Sequence, residues 1–133
     1  MSVAVATDND GDVEAIKKKY KNYLGNNAVS NIKICFDEFV DTKESLGCID
    51  ESDPLPDNFN YNTLEPKMLK ANSVEVFMRV YGEEYNTPTK LLRHLHSKKG
   101  ESALALLKTT EPISYPQYIL DAISHVGQLI SND

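Results

Sequence analysis

The chain has 133 residues, 41% hydrophobic and 26% charged, with a net charge of −6 at neutral pH. This is ordinary for one soluble globular domain long enough to bury a core, and the acidic balance argues against a generic nucleic-acid coat. No apolar run reaches the roughly 20 residues of a membrane span, and the N-terminus lacks the pattern of a signal peptide.

The net charge hides a division. Between Asp37 and Asp57 there are eight acids and one lysine, a net of −7, so the other 112 residues carry +1. Two basic clusters stand out, Lys17-Lys18-Lys19 with Lys21 and the stretch Arg93 to Lys99. The two cysteines, Cys35 and Cys48, have no metal-type spacing, which points to free thiols in a reducing, cytoplasmic setting.

In chain order, residues 2–7 read as a buried strand. Asp12 is placed to cap a helix whose apolar face is Val13, Ile16, Tyr20 and Tyr23/Leu24, ended by Gly25 with Asn26-Asn27. Asn31 to Phe36 reads as a second strand, with Ile32, Ile34 and Phe36 alternating against Lys33 and Cys35. Strand, helix and strand within about 35 residues form a βαβ unit, so the two strands are expected to be parallel. Residues 37–63, with Pro54, Pro56, Gly47 and many Asp, Asn and Ser, read as a long acidic surface loop; a loop of more than about 15 residues is often functional or poorly ordered.

From Leu64 on the pattern is helical. Leu64, Met68 and Leu69 make one stripe. Ser73 is a cap for Val74, Phe77 and Tyr81, with Gly82 as the stop. Thr87-Pro88 is an N-cap and first-position pair ahead of Leu91, Leu92 and Leu95. Gly100 is expected to interrupt before Ala103, Leu104, Leu106 and Leu107. After Pro112, Ser114 or Tyr115 starts a last helix carrying Ile119, Leu120, Ile123, Val126 and Ile130. The expected organisation is one α/β domain over 1–133: a βαβ core at 1–36, the acidic loop at 37–63 and a helical part at 64–133.

The chemistry is concentrated in Thr7-Asp8-Asn9-Asp10-Gly11-Asp12. Three carboxylates at alternate positions after an apolar strand repel one another unless a cation or protons neutralise them. Hard oxygens in that array suit Mg²⁺ or Mn²⁺ beside a phosphate. Aspartate also caps helices and tolerates turns, which would account for Asp12 alone. An EF-hand loop does not fit. With Asp8 as its first position, Val13 stands where the turn glycine belongs and Lys19 where the bidentate glutamate belongs.

Two families resemble this pattern. Haloacid dehalogenase-like phosphatases carry Asp-x-Asp-Gly-Thr after a strand, and Asp8-Asn9-Asp10-Gly11 matches, with Asp8 as nucleophile and Lys98 or Lys99 as the lysine. Asp12 replaces the threonine, however, and no later aspartate pair follows an apolar strand. The second resemblance uses more of the chain. The turn at 7–12, Thr63-Leu64-Glu65-Pro66 with Leu69, and Lys99-Gly100-Glu101-Ser102-Ala103 occur in that order. From about Val3 to Ser124 this resembles the C-terminal part of the Toprim nuclease domain of the OLD (overcoming lysogenization defect) family of ATP-dependent endonucleases.

This second resemblance implies a partial Toprim-like βαβ unit, with a short parallel sheet at its N-terminal end and a mainly helical C-terminal half. It implies Asp8, Asp10 and Glu65 as ligands of Mg²⁺ or Mn²⁺, with Thr7 and Asp12 behind them, and Lys99 offsetting charge on a scissile phosphate. Read without it, Glu65 is an acid favoured in a helix first turn and Lys99 a solvated lysine. His94 and His96, two residues apart, face different sides of a helix and are not expected to share a metal. They are expected to join Arg93 in a phosphate-facing surface.

Toprim domains also use a Gly-flanked glutamate from an earlier strand, and only Met1 to Ala6 with Thr7 precede the aspartates here. No Gly-x-x-x-x-Gly-Lys-Ser/Thr motif occurs. The expectation is a piece of a DNA endonuclease, inactive alone, whose partners are DNA, the ATPase and first Toprim portions it lacks, and a second copy meeting an uncovered sheet edge. A non-catalytic interaction module is the remaining alternative.

Overall fold

The computed structural model of the chain describes residues 2–25 and 31–131, with side chains to residue 127. Asn26, Asn27 and the side chain of Ile130 lie outside the described residues. The elements are β1 (Val3–Ala6), α1 (Val13–Lys19), a 3₁₀ turn (Lys21–Tyr23), β2 (Ile32–Cys35), α2 (Leu64–Ala71), α3 (Val74–Tyr81), α4 (Pro88–Ser97), α5 (Lys99–Lys108) and α6 (Gln117–Ser131). The fold is mixed α/β: a two-stranded parallel sheet at the N-terminal end and six helices among the described residues. Contacts group the chain into two compact units, Met1–Val40 with Pro116–Asp133, and Asp41–Tyr115.

In the first unit β1 and β2 pair in parallel, with Val3 opposite Ile32 and Ala6 opposite Cys35. The ladder runs one residue further, since Thr7 N donates to Cys35 O at 3.0 Å. Asp12 caps α1 as its sequence position implies, its carboxylate accepting from Ala15 N at 3.0 Å. The helix is shorter than the apolar pattern suggests: it stops at Lys19, and a single 3₁₀ turn carries the chain to Gly25, whose φ of 58° reverses it. Helix α6 packs against both strands. It starts at Gln117 rather than Ser114 or Tyr115. A residue before proline is pushed out of the helical region, and Pro116 does this to Tyr115. The carbonyl of Pro116 then accepts from Ile119 and Leu120.

In the second unit Leu46, Cys48, Met68, Leu69, Phe77, Leu91, Leu92 and Leu95 form one buried cluster. Burying Phe77 or Leu91 completely stabilises by about 2–3 kcal/mol each. Ser73 and Thr87 cap α3 and α4, accepting from Val76 N and Lys90 N, both at 3.2 Å. Gly82 ends α3 at φ 130°, and a Cβ there would lie 2.5 Å from a Glu84 carboxylate oxygen. The break expected at Gly100 falls instead at Lys98, the residue shared by the end of α4 and the start of α5. Gly100 sits within the first turn of α5. Of that helix's leucines, Leu106 packs on the core while Leu104 and Leu107 are exposed.

Residues 36–63 contain no helix or strand, as expected, but the segment is not merely a surface loop. It delivers Leu46 and Cys48 to the core and is closed at its base by Asn62. The Asn62 side chain accepts from Asp41 N at 2.7 Å and donates to Asp41 O at 3.0 Å.

Candidate metal-binding turn and the Glu65–Lys99 pair

The aspartate turn is built around Asn9, which is only 1% exposed. Its amide nitrogen donates to Asp37 O at 2.8 Å and Phe39 O at 3.0 Å, tying the end of β1 to the segment that follows β2. Its side-chain oxygen accepts from Gly11 N at 2.8 Å, and its carbonyl accepts from Asp12 N at 2.9 Å. Asp10 and Gly11 take φ of 53° and 82°, a left-handed pair that aspartate and glycine adopt at little cost. The neutral amide is thus buried, Asp8 is half-buried and Asp10 is exposed. Thr7 donates its hydroxyl hydrogen to Asp8 O at 3.3 Å. The sequence pattern treats position 9 as a free spacer, yet here it is the anchor. An asparagine two residues before a glycine, able to close an Asx turn, was the available signal.

Glu65 lies in the first turn of α2 and Lys99 is the first residue of α5. Although 34 positions apart, they come together, with Lys99 Nζ 4.0 Å from Glu65 Oε1. Both side chains remain partly exposed, so the pair contributes little to stability. Asp8 and Asp10 belong to the first unit, Glu65 and Lys99 to the second. Among the described residues no three His, Cys, Asp or Glu side chains form a group that could hold a metal ion. Two carboxylates still suit Mg²⁺, which keeps several waters and often takes only one or two.

The basic stretch divides. His94 stacks on Tyr85 with ring centres 4.3 Å apart and meets Tyr81 edge-on at 5.3 Å, while it lines an open pocket beside Lys90, Arg93 and Lys98. His96 instead approaches Phe59, edge to face at 5.6 Å. Arg93 donates to Asp53 at 2.7 Å and to Pro54 O at 3.3 Å.

Asp41, one of the eight acids of the loop, is the buried acid that sequence reading passed over. Lys67 Nζ approaches one carboxylate oxygen at 2.6 Å; Lys70 Nζ, at 2.9 Å, and the Ser45 hydroxyl, at 2.8 Å, reach the other. Burial alone pushes this carboxyl up, but the hydrogen bonds from Lys67, Lys70 and Ser45 together outweigh it and hold the group below its ordinary range. Burial also raises the thiols of Cys35 and Cys48, which makes them poor nucleophiles. It pushes Tyr81 up to about 12, and the Tyr81 hydroxyl donates to Ser102 O at 2.8 Å.

Among the described residues no helix is long and apolar enough to cross a membrane. Comparison of the chain with known protein families, with curated proteins and with solved structures finds no match.

Proposed function

We propose that this chain carries the metal-binding turn and following helical part of a Toprim-type nuclease domain of the OLD family, and so serves phosphodiester hydrolysis in DNA. The observation that carries this reading is the turn itself. Asp8 and Asp10 stand at the carboxyl end of a strand in a parallel pair, on either side of a buried Asn9 that fixes the backbone between them. Ligands of open α/β sheets bind just outside the carboxyl ends of the strands.

In this reading Asp8 and Asp10 hold Mg²⁺ or Mn²⁺, and Asn9 positions their backbone without touching the ion. A divalent cation at such a site polarises a phosphate oxygen and neutralises developing charge. Asp12 is spent on capping α1, and Thr7 steadies the carbonyl of Asp8. Lys99 supplies positive charge for a phosphate and Glu65 a further acidic group; their proximity in the second unit agrees with the roles the resemblance gives them. The partners are DNA and an ATPase portion, and two buried free thiols fit a reducing, cytoplasmic setting.

A Toprim site also takes a glutamate from an earlier strand, and residues 1–7 hold none. In this reading the turn supplies the metal, and turnover also needs that glutamate. Incubation with supercoiled DNA and Mn²⁺ should give no cleavage that depends on Asp8. Robust cutting lost in Asp8→Ala would overturn the inactivity, whereas phosphorylation of Asp8 by a small acyl phosphate would replace the nuclease reading with a phosphatase.

A further inference from the structure

A groove of about 450 Å³ lies in the second unit between the segment 55–63 and the junction of α4 with α5. That volume is within the range of small-ligand sites. Phe59 lies on one side, between Asn58 and Asn60; Arg93, His96 and Lys99 recur at three-residue spacing on the other, and the two sides meet where the His96 and Phe59 rings touch edge to face at 5.6 Å. Among the described residues no acid lines the groove, in a chain whose net charge is −6. Asp53 and Glu65 touch Arg93 and Lys99 from outside its lining, which keeps both cations in place. Arg93 and Lys99 keep 46% and 57% of their side chains exposed, leaving donors accessible to an anion.

The groove therefore combines a ring able to stack on a planar group, the exposed Asn58 amide, which can both donate and accept, and a row of basic side chains; the Asn60 side-chain oxygen is already taken by Asn62 N at 2.8 Å. A simple anion needs only the cations. A nucleotide uses all three, because its base stacks, its edge takes amide hydrogen bonds and its phosphates meet the basic row. We infer that this groove binds single-stranded DNA, with a base against Phe59 and the backbone along Arg93, His96 and Lys99. It rests on the phosphodiester reading for the choice of DNA over another anion, but its residues are distinct from Asp8 and Asp10.

Anisotropy of a labelled oligo-dT with the full chain in EDTA tests it. The strand should bind more tightly than dTMP, with a slope of log K against log salt of about −1.4 at neutral pH, as the two phosphate contacts of Arg93 and Lys99 give on a single strand. Phe59→Leu, which keeps the apolar packing and removes the ring, should weaken binding about tenfold. Arg93→Gln with His96→Gln should flatten the salt slope. Thermal melting of each variant separates lost binding from lost folding. No binding of oligo-dT, affinity unchanged in a folded Phe59→Leu variant, or dTMP binding as tightly as the strand would each overturn the proposal. Because the assay excludes metal, its failure leaves metal binding at Asp8 and Asp10 untouched, and loss of that binding leaves this result standing.

Discussion

Each unit buries a polar side chain that holds a loop, and they choose differently. The second buries a charged one. Asp41 goes into the interior only because Lys67, itself buried, and Lys70 surround it with opposite charge. The first buries a neutral one, Asn9, and leaves the flanking Asp8 and Asp10 half-buried and exposed. A carboxylate locked onto two lysines is committed to structure. Asp8 and Asp10 instead flank a backbone that Asn9 fixes, and they lie nearer to solvent than Asp41. Asp41, the most buried acid among the described residues, is therefore not assigned to the metal, while the less buried pair is.

Core strength differs as well, and the sharpest test of the contrast begins there. Phe77→Ala should destabilise the second unit by about 4 kcal/mol, read by denaturant unfolding, because a fully buried ring leaves a cavity. Asp41→Asn should come close behind, at about 3–4 kcal/mol, since it leaves the buried Lys67 ammonium without its counter-charge. The same carboxyl sets a pH dependence. Its folded pKa lies below the unfolded value of 3.8, so its stabilisation is present above that value and is lost as pH falls towards the folded one. Acid unfolding monitored by circular dichroism should therefore be less steep in Asp41→Asn than in the parent chain. Equal acid limbs would show that Asp41 is not the group that couples the second unit to pH.

Asn9→Ala should cost the first unit about 2 kcal/mol, because the carbonyls of Asp37 and Phe39 and the Gly11 amide lose a buried partner. It should also weaken any metal binding by Asp8 and Asp10, although neither carboxylate is altered. Thr87→Ala, a lost helix cap in the second unit, should cost least, about 1 kcal/mol.

What the sequence revealed follows the range of each force. The caps at Asp12, Ser73 and Thr87 and the stripe Leu91, Leu92, Leu95 were legible because each is written within a few residues of itself, and the parallel pair because strand, helix and strand in that order imply it although Val3 and Ile32 are 29 residues apart. The long segment 37–63 was read as surface because Pro, Gly, Asp and Ser mark irregular backbone. Composition does not reveal that Leu46 and Cys48 reach a distant core, or that Asn62 closes the segment on Asp41. Similarly, Asp41 looked like one of eight acids in an acidic run, since its lysines lie 26 and 29 residues away. At the candidate site, Asp8 and Asp10 were visible from type and spacing, whereas the anchoring role of Asn9 depends on the carbonyls of Asp37 and Phe39, which no local pattern brings near. The pairing of Glu65 with Lys99 is likewise a product of how α2 and α5 both pack against α4.

The central claim is that Asp8 and Asp10 hold a divalent cation, and calorimetric titration of the full chain with Mn²⁺ tests it most directly. A saturable heat of binding that disappears in Asp8→Asn with Asp10→Asn, while the thermal unfolding of that variant stays close to the parent's, is the predicted result. No saturable heat in the parent chain, or the same heat in the double variant, would contradict it.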